Sequence, residues 1–355
     1  MPLPSTSVLI FAGFEKLRIL TLMKKCHNID MIDSYFHSGG PRFGSAAQAV
    51  AEMSASKIEC ANLVLPPSMP DFATLEAARE RVGDRVRLIG VPAGNQECER
   101  LELLEWEIAF GVSGLRLMPF EREANLDGIH AFGRAGRWLF YINPWKAADQ
   151  RFLLSWLEEH ASGRIAVPHA LASGEPKAQV EDLTLFREFL GHERVCVILS
   201  RHGGASNAPY PHEDLRPWVD LVIEAAGWDS ILWGSEYPVL YWRDERISEA
   251  AAWLGELLGG LDEGQQDAYF RGNAHRHFFN TPPPPVEEKA VNAPAWTRQW
   301  VASGGAASPV ARNVKLPAEV QAAAMARYLE IPLDVRPRFS DFLADLIRQG
   351  LTGSS

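Results

Sequence analysis

Short apolar runs rich in β-branched residues recur along the first 280 residues, and stretches with helical spacing separate them. Runs of this length predict strands that are buried on both faces. The predicted strands are Asp30–Phe36, Cys60–Leu65, Val86–Val91, Gly114–Met118, Trp138–Ile142, Ile165–Pro168, Val195–Leu199 and Ile231–Gly234. Helical spacing is found in Phe72–Val82, Glu97–Phe110, Phe152–His160, Leu183–Leu190 and Leu215–Ala226. This alternation predicts parallel strands with right-handed crossovers. Eight repeats favour a closed (β/α)8 barrel, because closure leaves no edge strand.

The pattern changes after Asn280. Four prolines within Thr281–Pro285 exclude a helix or a central strand, and polar or small residues follow them. Residues 281–312 are therefore predicted to be a linker. Helical spacing returns at Pro317–Leu329 and Pro337–Gln349, and the second segment carries an apolar stripe of Phe339, Phe342, Leu343, Leu346 and Ile347. Two short helices cannot bury this stripe alone, so we expect them to dock on the barrel, on a second copy of the chain or on another protein.

Composition narrows the classes of partner. Of the 355 residues 46% are hydrophobic, which is enough for a large core, and the net charge is −10. The isoelectric point is near 5.5, and no basic stripe interrupts this acidic balance, so a nucleic-acid surface is excluded. The cysteines lack metal-type spacing and are typical of reduced thiols in a cytoplasmic protein: Cys26, Cys60, Cys98 and Cys196.

The N-terminus contains an apolar run, Val8–Phe14, which is followed by charged residues. The run is well short of the about 18–20 residues that a membrane span requires, so we expect no membrane association. We expect translation to begin naturally at Met23, with residues 1–22 as an extension. The predicted domains are an extension at 1–28, a barrel at 29–280, a linker at 281–312 and a helical module at 313–355.

Polar or ionisable residues end six of the eight predicted strands. In a barrel of this kind, side chains at the carboxyl ends of the strands point into the active site. The candidates are Tyr35 and His37 after strand 1, Arg116 on strand 4, Tyr141 and Asn143 at strand 5, His169 after strand 6, Arg201 and His202 after strand 7, and Glu236 and Tyr237 after strand 8. The histidines expected on helices or opposite loops, and therefore in solvent, are His130, His160, His192 and His212.

Several of these strand ends form motifs in a fixed order along the chain. The motifs are Ile-Asp-Ser-Tyr-Phe-His at 32–37, Gly-Leu-Arg-Leu at 114–117, Val-Pro-His at 167–169, Leu-Trp-Gly-Ser-Glu-Tyr-Pro at 232–238 and Gly-Asn-Ala at 272–274. Over about residues 29–280 the chain resembles the amidohydrolase-related (amidohydrolase-2) family of barrel hydrolases. That family includes dicarboxylate-lactone hydrolases, sugar lactonases and zinc-dependent aromatic decarboxylases. It typically has Ile-Asp-x-His-x-His after strand 1, a histidine after strand 6 and Trp-Gly-Ser-Asp-x-Pro at strand 8.

The chain departs from the family pattern at its metal-ligand positions. Tyr35 stands where the family has its first histidine, and Glu236 stands where it has the strand-8 aspartate. Strand 5, which supplies a further ligand in many relatives, offers Tyr141 and Asn143. The resemblance therefore implies no two-metal site, and at most one Zn²⁺ held by His37, His169 and Glu236 with a fourth position for water. Metal-independent lactonases of the family keep the same positions, so the cofactor is either absent or one divalent ion.

The resemblance implies hydrolysis of a lactone or amide bond in a small substrate that carries a carboxylate. In this hypothesis Arg116, with Arg201, binds the substrate carboxylate through its fork of N–H donors. His169 or a metal polarises the carbonyl group, and Glu236 takes a proton from the attacking water. The remaining predicted substrate-binding residues are Tyr35, Tyr141, Asn143 and His202. Structural alternatives exist for each candidate, such as a salt bridge for Glu236 or loop bracing for Arg116.

Two other functions are consistent with the sequence. One is non-oxidative decarboxylation of an aromatic acid, which the family carries out with a metal, so the tyrosine at position 35 disfavours it. The other is a barrel that has lost its chemistry and serves as a binding or scaffold subunit.

The tail resembles the small helical subunits of certain amidases that act on urea-like compounds. The resemblance covers Glu319–Gly350 and depends on the turn Leu-Glu-Ile-Pro-Leu at 329–333. It implies an attached interaction module that could bind a protein partner or a second copy of the chain. The alternative is a helical pair that packs on its own barrel.

Overall fold

Eight parallel strands follow one another around the molecule in chain order. They are β1 Met31–His37, β2 Ile58–Val64, β3 Val86–Gly90, β4 Gly114–Leu117, β5 Trp138–Tyr141, β6 Arg164–Pro168, β7 Val195–Leu199 and β8 Ile231–Trp233. This computed structural model describes residues 30–40, 42–290, 292–302, 318–333, 335–339, 341–343 and 345–346. The predicted extension, linker residues 303–312 and Ile347 lie outside these ranges. The predicted (β/α)8 barrel is confirmed, with strand limits within two residues of those expected.

Helices connect the strands and continue into the tail. They are α1 Ala46–Ala55, α2 Phe72–Val82, α3 Glu97–Ala109, α4 Leu126–Arg134, α5 Ala147–Glu159, α6 Leu183–Leu190, α7 His202–Ala205, α8 Arg216–Ala226, α9 Ile247–Leu258, α10 Glu263–Asp267, α11 Ala295–Ala302 and α12 Ala318–Leu329. π-helical turns at Ala268–Gly272 and His275–Phe279 extend α10. Asp71 and Asp182 accept hydrogen bonds from first-turn N–H groups of α2 and α6, which fixes where these helices begin. Of the helices described, none has the length and apolar character needed to cross a bilayer.

The apolar core has two layers, as the alternation of side chains along a barrel strand requires. One cluster fills the space between the strands and the surrounding helices. The other fills the barrel interior and contains Ile32, Tyr35, Val64, Ile89, Phe140, Ile142, Ala166, Ile198 and Leu232. Tyr35 is the polar-tipped member of this inner layer, so its hydroxyl needs a partner inside the barrel.

The junction of β1 with β8 depends on the Asp33 carboxylate. The register of β1 shifts between Asp33 and Phe36, and Oδ1 of Asp33 accepts hydrogen bonds from the backbone N–H groups of Tyr35 and Ser235, each at 3.0 Å. The Glu236 N–H donates to the Tyr35 carbonyl at 3.0 Å. Burial raises the pKa of Asp33 to about 6, although these hydrogen bonds oppose the shift. The predicted neighbourhood of strands 1 and 8 is thus confirmed.

The described part of the tail packs on the barrel. Its buried apolar side chains belong to the same cluster as the barrel's outer core: Met325, Tyr328, Leu329 and Phe339. Nη1 of Arg336 lies 2.8 Å from Oε2 of Glu52, and the two side chains are 8% and 2% exposed. Tyr241 donates its hydroxyl to the other oxygen of Glu52 at 2.7 Å. Three docking surfaces were expected for the tail, and the structure shows it packed on one of them, the barrel of the same chain.

The predicted linker is not irregular throughout. Pro284 and Pro285 pass so close to Gly111 that a β-carbon there would lie 2.6 Å from the Pro284 carbonyl oxygen. Helix α11 follows, and Trp300 on it donates its indole N–H to the Ser68 carbonyl at 2.8 Å. The segment predicted as a linker over 281–312 therefore contains a helix and packs on the barrel where the structure describes it. The segment is mostly polar, but two tryptophans of α11 pack against the barrel, and their burial stabilises the helix.

Candidate active site

Side chains from four strands and the segment after β8 converge at the carboxyl end of the barrel. Their hydrogen bonds, ion pairs and ring contacts connect them into one group, which we call the mouth cluster. It consists of Tyr35, His37, Arg116, His169, Ser200, Arg201, Glu236 and Arg243. Among the predicted site residues, the structure brings His37, His169, Glu236, Arg116, Arg201 and Tyr35 together here.

The two carboxylate oxygens of Glu236 have different partners. Oε2 accepts a hydrogen bond from Nη1 of Arg243 at 2.7 Å. Oε1 lies 3.4 Å from Nε2 of His169 and 3.8 Å from Nη1 of Arg201. The Glu236 side chain is only 3% exposed, so the two guanidinium groups compensate a charge that water does not reach. The ion pair holds one oxygen and leaves the other turned toward the imidazole.

His169 is held as a neutral imidazole. Burial, followed by the charges of Arg201 and Arg116, keeps its pKa well below the usual range. Its Nδ1 lies 3.0 Å from the hydroxyl oxygen of Ser200. A neutral imidazole has one donor and one acceptor, so a hydroxyl that donates to Nδ1 leaves Nε2–H facing Glu236. Ser200 thereby orients the ring so that Nε2 faces the Glu236 carboxylate as a hydrogen-bond donor.

Arg116 and Tyr35 form the second part of the mouth cluster. Nε of Arg116 donates to the Tyr35 hydroxyl at 3.0 Å, so the hydroxyl hydrogen of Tyr35 is free to donate elsewhere. Nη1 of Arg116 is buried and has no hydrogen-bond partner in the described chain. Gly234 permits this packing, because a β-carbon there would lie 2.9 Å from that of Tyr35. The site therefore presents an unpaired cationic donor beside a phenol.

His37 lies at the border of the mouth cluster. Its ring stacks on Phe43 with centroids 4.4 Å apart and meets Tyr35 edge to face at 4.8 Å. Nδ1 is 3.0 Å from the Val64 carbonyl oxygen, which can only accept, so Nδ1 carries the hydrogen. Burial lowers the pKa of His37 to about 3. Its Nε2 is therefore a free acceptor at neutral pH.

The backbone at four consecutive strand ends is left-handed. Asn143, His169, Arg201 and Glu236 follow β5 to β8 and have φ values of 50°, 60°, 61° and 59°. This conformation costs a residue with a β-carbon roughly 1–2 kcal/mol. Such backbone strain is concentrated at active sites and binding sites in proteins generally. Its repetition at adjacent strand ends supports the mouth cluster as the functional site.

Tyr141 is not brought to the mouth cluster. Phe140 and Ile142 face the barrel interior, so the residue between them faces outward. Its hydroxyl donates to Oδ1 of Asp149 at 2.8 Å, in the first turn of α5. The prediction that Tyr141 binds substrate overlooked this alternation. Asn143 lies two residues further, at the strand end, where its Oδ1 is buried without a described partner.

His202 lies outside the mouth cluster. Its ring stacks on Trp253 with centroids 4.6 Å apart, and its Nδ1 is 3.7 Å from Oε2 of Glu245. Oε1 of Glu245 in turn accepts from Nε of Arg243 at 2.6 Å. His202 is therefore connected to Glu236 through two intervening side chains. Arg201, with about half of its side chain exposed, is the member of the mouth cluster that solvent reaches most.

Sequence reasoning missed two members of the mouth cluster. Arg243 lies in the 3-10 turn Val239–Arg243, and its signal was the charged run that closely follows the strand-8 motif. Ser200 was a polar residue directly after β7. Two expectations of solvated histidines were wrong, because His160 is 5% and His212 9% exposed. Both are at loop ends that pack under neighbouring helices, which helix spacing does not reveal.

The residues at the barrel mouth do not fit a metal site as they are arranged. Within the described ranges, one group of three ligand side chains has all its ligand atoms within 4.8 Å, and it is elsewhere, at His130, Glu159 and His160. At the mouth, Oε2 of Glu236 is occupied by Arg243 at 2.7 Å. A guanidinium so close neutralises the charge that would attract a divalent cation. We therefore derive no catalytic step through a metal.

Comparison with known proteins agrees with the architecture. A family model described as amidohydrolase matches residues 37–279. The chain is similar to a probable 2-pyrone-4,6-dicarboxylic acid hydrolase from Acinetobacter baumannii, solved with citric acid bound (15% identity, 71% of this chain and 100% of that chain, TM-score 0.57). It is also similar to a putative hydrolase of the same name from Pseudomonas putida (19%, 71% and 98%, 0.51). A third similar structure is an amidohydrolase from Burkholderia multivorans with bound zinc (15%, 71% and 99%, 0.53).

A search of curated proteins returned no match. The family match nevertheless covers more than half of the chain and contains β2 to β8 together with the end of β1. Four of the five motifs that suggested the resemblance lie inside the matched range, and His37 of the first motif begins it. The chain is therefore a member of the amidohydrolase family, an enzyme of the hydrolase class built on a (β/α)8 barrel.

Proposed function

We propose that the mouth cluster hydrolyses a lactone or amide bond in a small substrate that carries a carboxylate. The observation that carries the proposal is the buried Nη1 of Arg116, which has no hydrogen-bond partner in the described chain. An unpaired buried N–H costs about 1–3 kcal/mol, and more when it is charged. A substrate carboxylate or carbonyl oxygen at this position would remove that cost and would also accept from the adjacent Tyr35 hydroxyl.

Glu236 is the proposed general base. Its Oε1 is free of the Arg243 ion pair and is directed toward Nε2 of His169 at 3.4 Å. A water between Oε1 and the substrate would lose its proton to the carboxylate as its oxygen bonds to the carbonyl carbon. The proton would then pass to the leaving oxygen or nitrogen as the scissile bond breaks. His169 N–H would orient the water or the developing oxyanion.

Arg201 is the proposed entry residue for the substrate. It is half exposed, whereas Arg116 is buried behind it, so an anion would meet Arg201 first. Both guanidiniums favour a substrate with one or more carboxylates. The neighbours named as 2-pyrone-4,6-dicarboxylic acid hydrolases act, by that name, on such a compound. Dicarboxylate lactones are therefore the first class to test.

The test is a substrate panel of lactones, amides and aromatic acids, each assayed with and without chelator. Each acid is paired with its uncharged methyl ester. We expect hydrolysis of a carboxylate-bearing lactone or amide, with the methyl ester poorer by roughly 10–100-fold in kcat/KM. Arg116→Ala should abolish that preference, and the exposed Arg216→Ala on α8 is the matched control. Release of carbon dioxide from an aromatic acid, or an unchanged preference in Arg116→Ala, would contradict the proposal.

A further inference from the structure

Three metal-ligating side chains meet on the outer wall of the barrel, away from the mouth cluster. His130 lies on α4, Glu159 is the last residue of α5, and His160 follows it. Nδ1 of His130 is 3.0 Å from Nε2 of His160, and Oε1 of Glu159 is 3.4 Å from the first nitrogen and 3.7 Å from the second. The three ligand atoms thus form a triangle whose sides lie between 3.0 and 3.7 Å.

This triangle has the dimensions of three ligands on one tetrahedral ion. Nitrogen and oxygen ligands bind zinc at 2.0–2.2 Å, so two of them on one tetrahedral ion stand about 3.3–3.5 Å apart. Two imidazole nitrogens and one carboxylate oxygen are also a donor set that zinc prefers. The fourth position would face solvent, because Glu159 is 58% and His130 27% exposed.

The local fold holds His160 in place for such a role. A β-carbon at Gly133 would lie 2.3 Å from Cδ2 of His160, so this glycine on α4 makes room for the ring. Trp156 contacts the ring edge to face at 5.1 Å, and Arg194 donates to the His160 carbonyl at 2.6 Å.

We propose that His130, Glu159 and His160 form a zinc site that joins α4 to α5, with water in the fourth position. The zinc at this site would stabilise the fold and would take no part in the reaction. The site lies near the start of β6, at Arg164, whereas His169 of the mouth cluster follows the end of the same strand at Pro168. An ion that binds only the folded chain stabilises it increasingly as the free ion concentration exceeds the Kd, so zinc would strengthen the junction of the two helices.

The test uses the metal-free full chain titrated with zinc alone, without any substrate. We expect one equivalent of zinc per chain and a rise in Tm of about 5 °C at 100 times the Kd. His130→Ala and Glu159→Gln should lose that equivalent and the Tm rise. Since His160 is buried, its replacement could unfold the chain, so the two more exposed ligands are chosen instead.

His169→Asn is the matched control for a metal at the barrel mouth. It should keep both the bound zinc and the Tm rise. Loss of zinc in His169→Asn with retention in His130→Ala would place the ion at the mouth and overturn the proposal. Absence of stoichiometric binding to the unaltered chain would overturn it as well. Because neither readout uses turnover, these outcomes are independent of the proposed hydrolysis.

Discussion

Nη1 of Arg243 lies 2.7 Å from Oε2 of Glu236, and this ion pair fixes the orientation of the carboxylate at the barrel mouth. Its partner across the site, His169, approaches only the other oxygen. The Glu236 carboxylate is thus held by Arg243 at one oxygen, and its other oxygen is directed toward His169.

Glu236→Gln keeps the size of the side chain and its hydrogen-bonding capacity but removes the basic oxygen. If Glu236 is the general base, kcat should fall by roughly 10²–10⁴. KM should change much less, because Arg116 binds the substrate carboxylate. Arg116→Ala should chiefly raise KM. Steady-state kinetics on the substrate found in the panel measure both effects. Near-normal kcat in Glu236→Gln would exclude the hydrolytic mechanism as assigned.

Arg243→Met should leave the Glu236 carboxylate buried without its closest cation. Without that ion pair Oε1 is no longer held toward His169, so kcat should fall by roughly 10-fold or more while KM changes much less. Arg243→Lys should restore part of kcat, since it returns a charge without the fork. The exposed Arg246→Met is the control. A Met variant that loses thermal stability but keeps its kcat would show that Arg243 acts on the fold instead of on Glu236.

Glu107, which lies outside the mouth cluster, should make the free energy of unfolding depend on pH. It is fully buried on α3, with Oε1 accepting from the Val91 N–H at 3.0 Å and Oε2 unpartnered in the described chain. Burial raises its pKa well above the usual range, so the folded chain keeps this proton longer than the unfolded chain. Stability should therefore fall as pH rises above about 4.3, by about 1.4 kcal/mol per unit for this group, until the folded pKa is reached.

Glu107→Gln removes that titration without changing the shape of the side chain. The free energy of unfolding of the variant, relative to the unaltered chain, should increase between pH 5 and pH 8. Urea denaturation at both pH values measures it, with the exposed Glu105→Gln as control. An equal difference at the two pH values would mean that the carboxyl group ionises normally.

Arg336→Met should destabilise the whole molecule and not only the tail. Arg336 pairs at 2.8 Å with Glu52, which is 2% exposed and also accepts from Tyr241. Removing one member of a buried pair costs about 3–5 kcal/mol, because the other charge stays buried. Arg338→Met, two residues away and 51% exposed, should cost little. Equal effects of the two substitutions would show that the tail is held by its apolar side chains alone.

Much of the architecture could be predicted because buried parallel strands are continuous apolar runs. The strand-end rule then identified His37, Arg116, His169 and Glu236, which depend only on position along a strand. The rule failed for Tyr141, because side chains along a strand face the barrel interior and its exterior alternately. Tyr141 stands between two inward-facing residues and therefore faces outward. Ser200 was missed because its partner His169 is distant in sequence and the barrel brings the two together. Arg243 was missed because it lies in a 3-10 turn beyond the strand end, which the strand-end rule does not reach.

The left-handed backbone at Asn143, His169, Arg201 and Glu236 gives a way to recognise functional positions without knowing a substrate. Glycine adopts this conformation without the steric cost of a β-carbon. Replacing one of these residues by glycine would relax the chain locally while it removes the side chain. At Asn143, whose buried Oδ1 has no described partner, thermal stability should then rise, because nothing is left unpaired. At Glu236 the partly buried Arg243 would lose this partner, and that cost exceeds the relief of strain. A melting curve of each glycine variant therefore separates strand ends whose side chains hold the site together from strand ends that only bear strain.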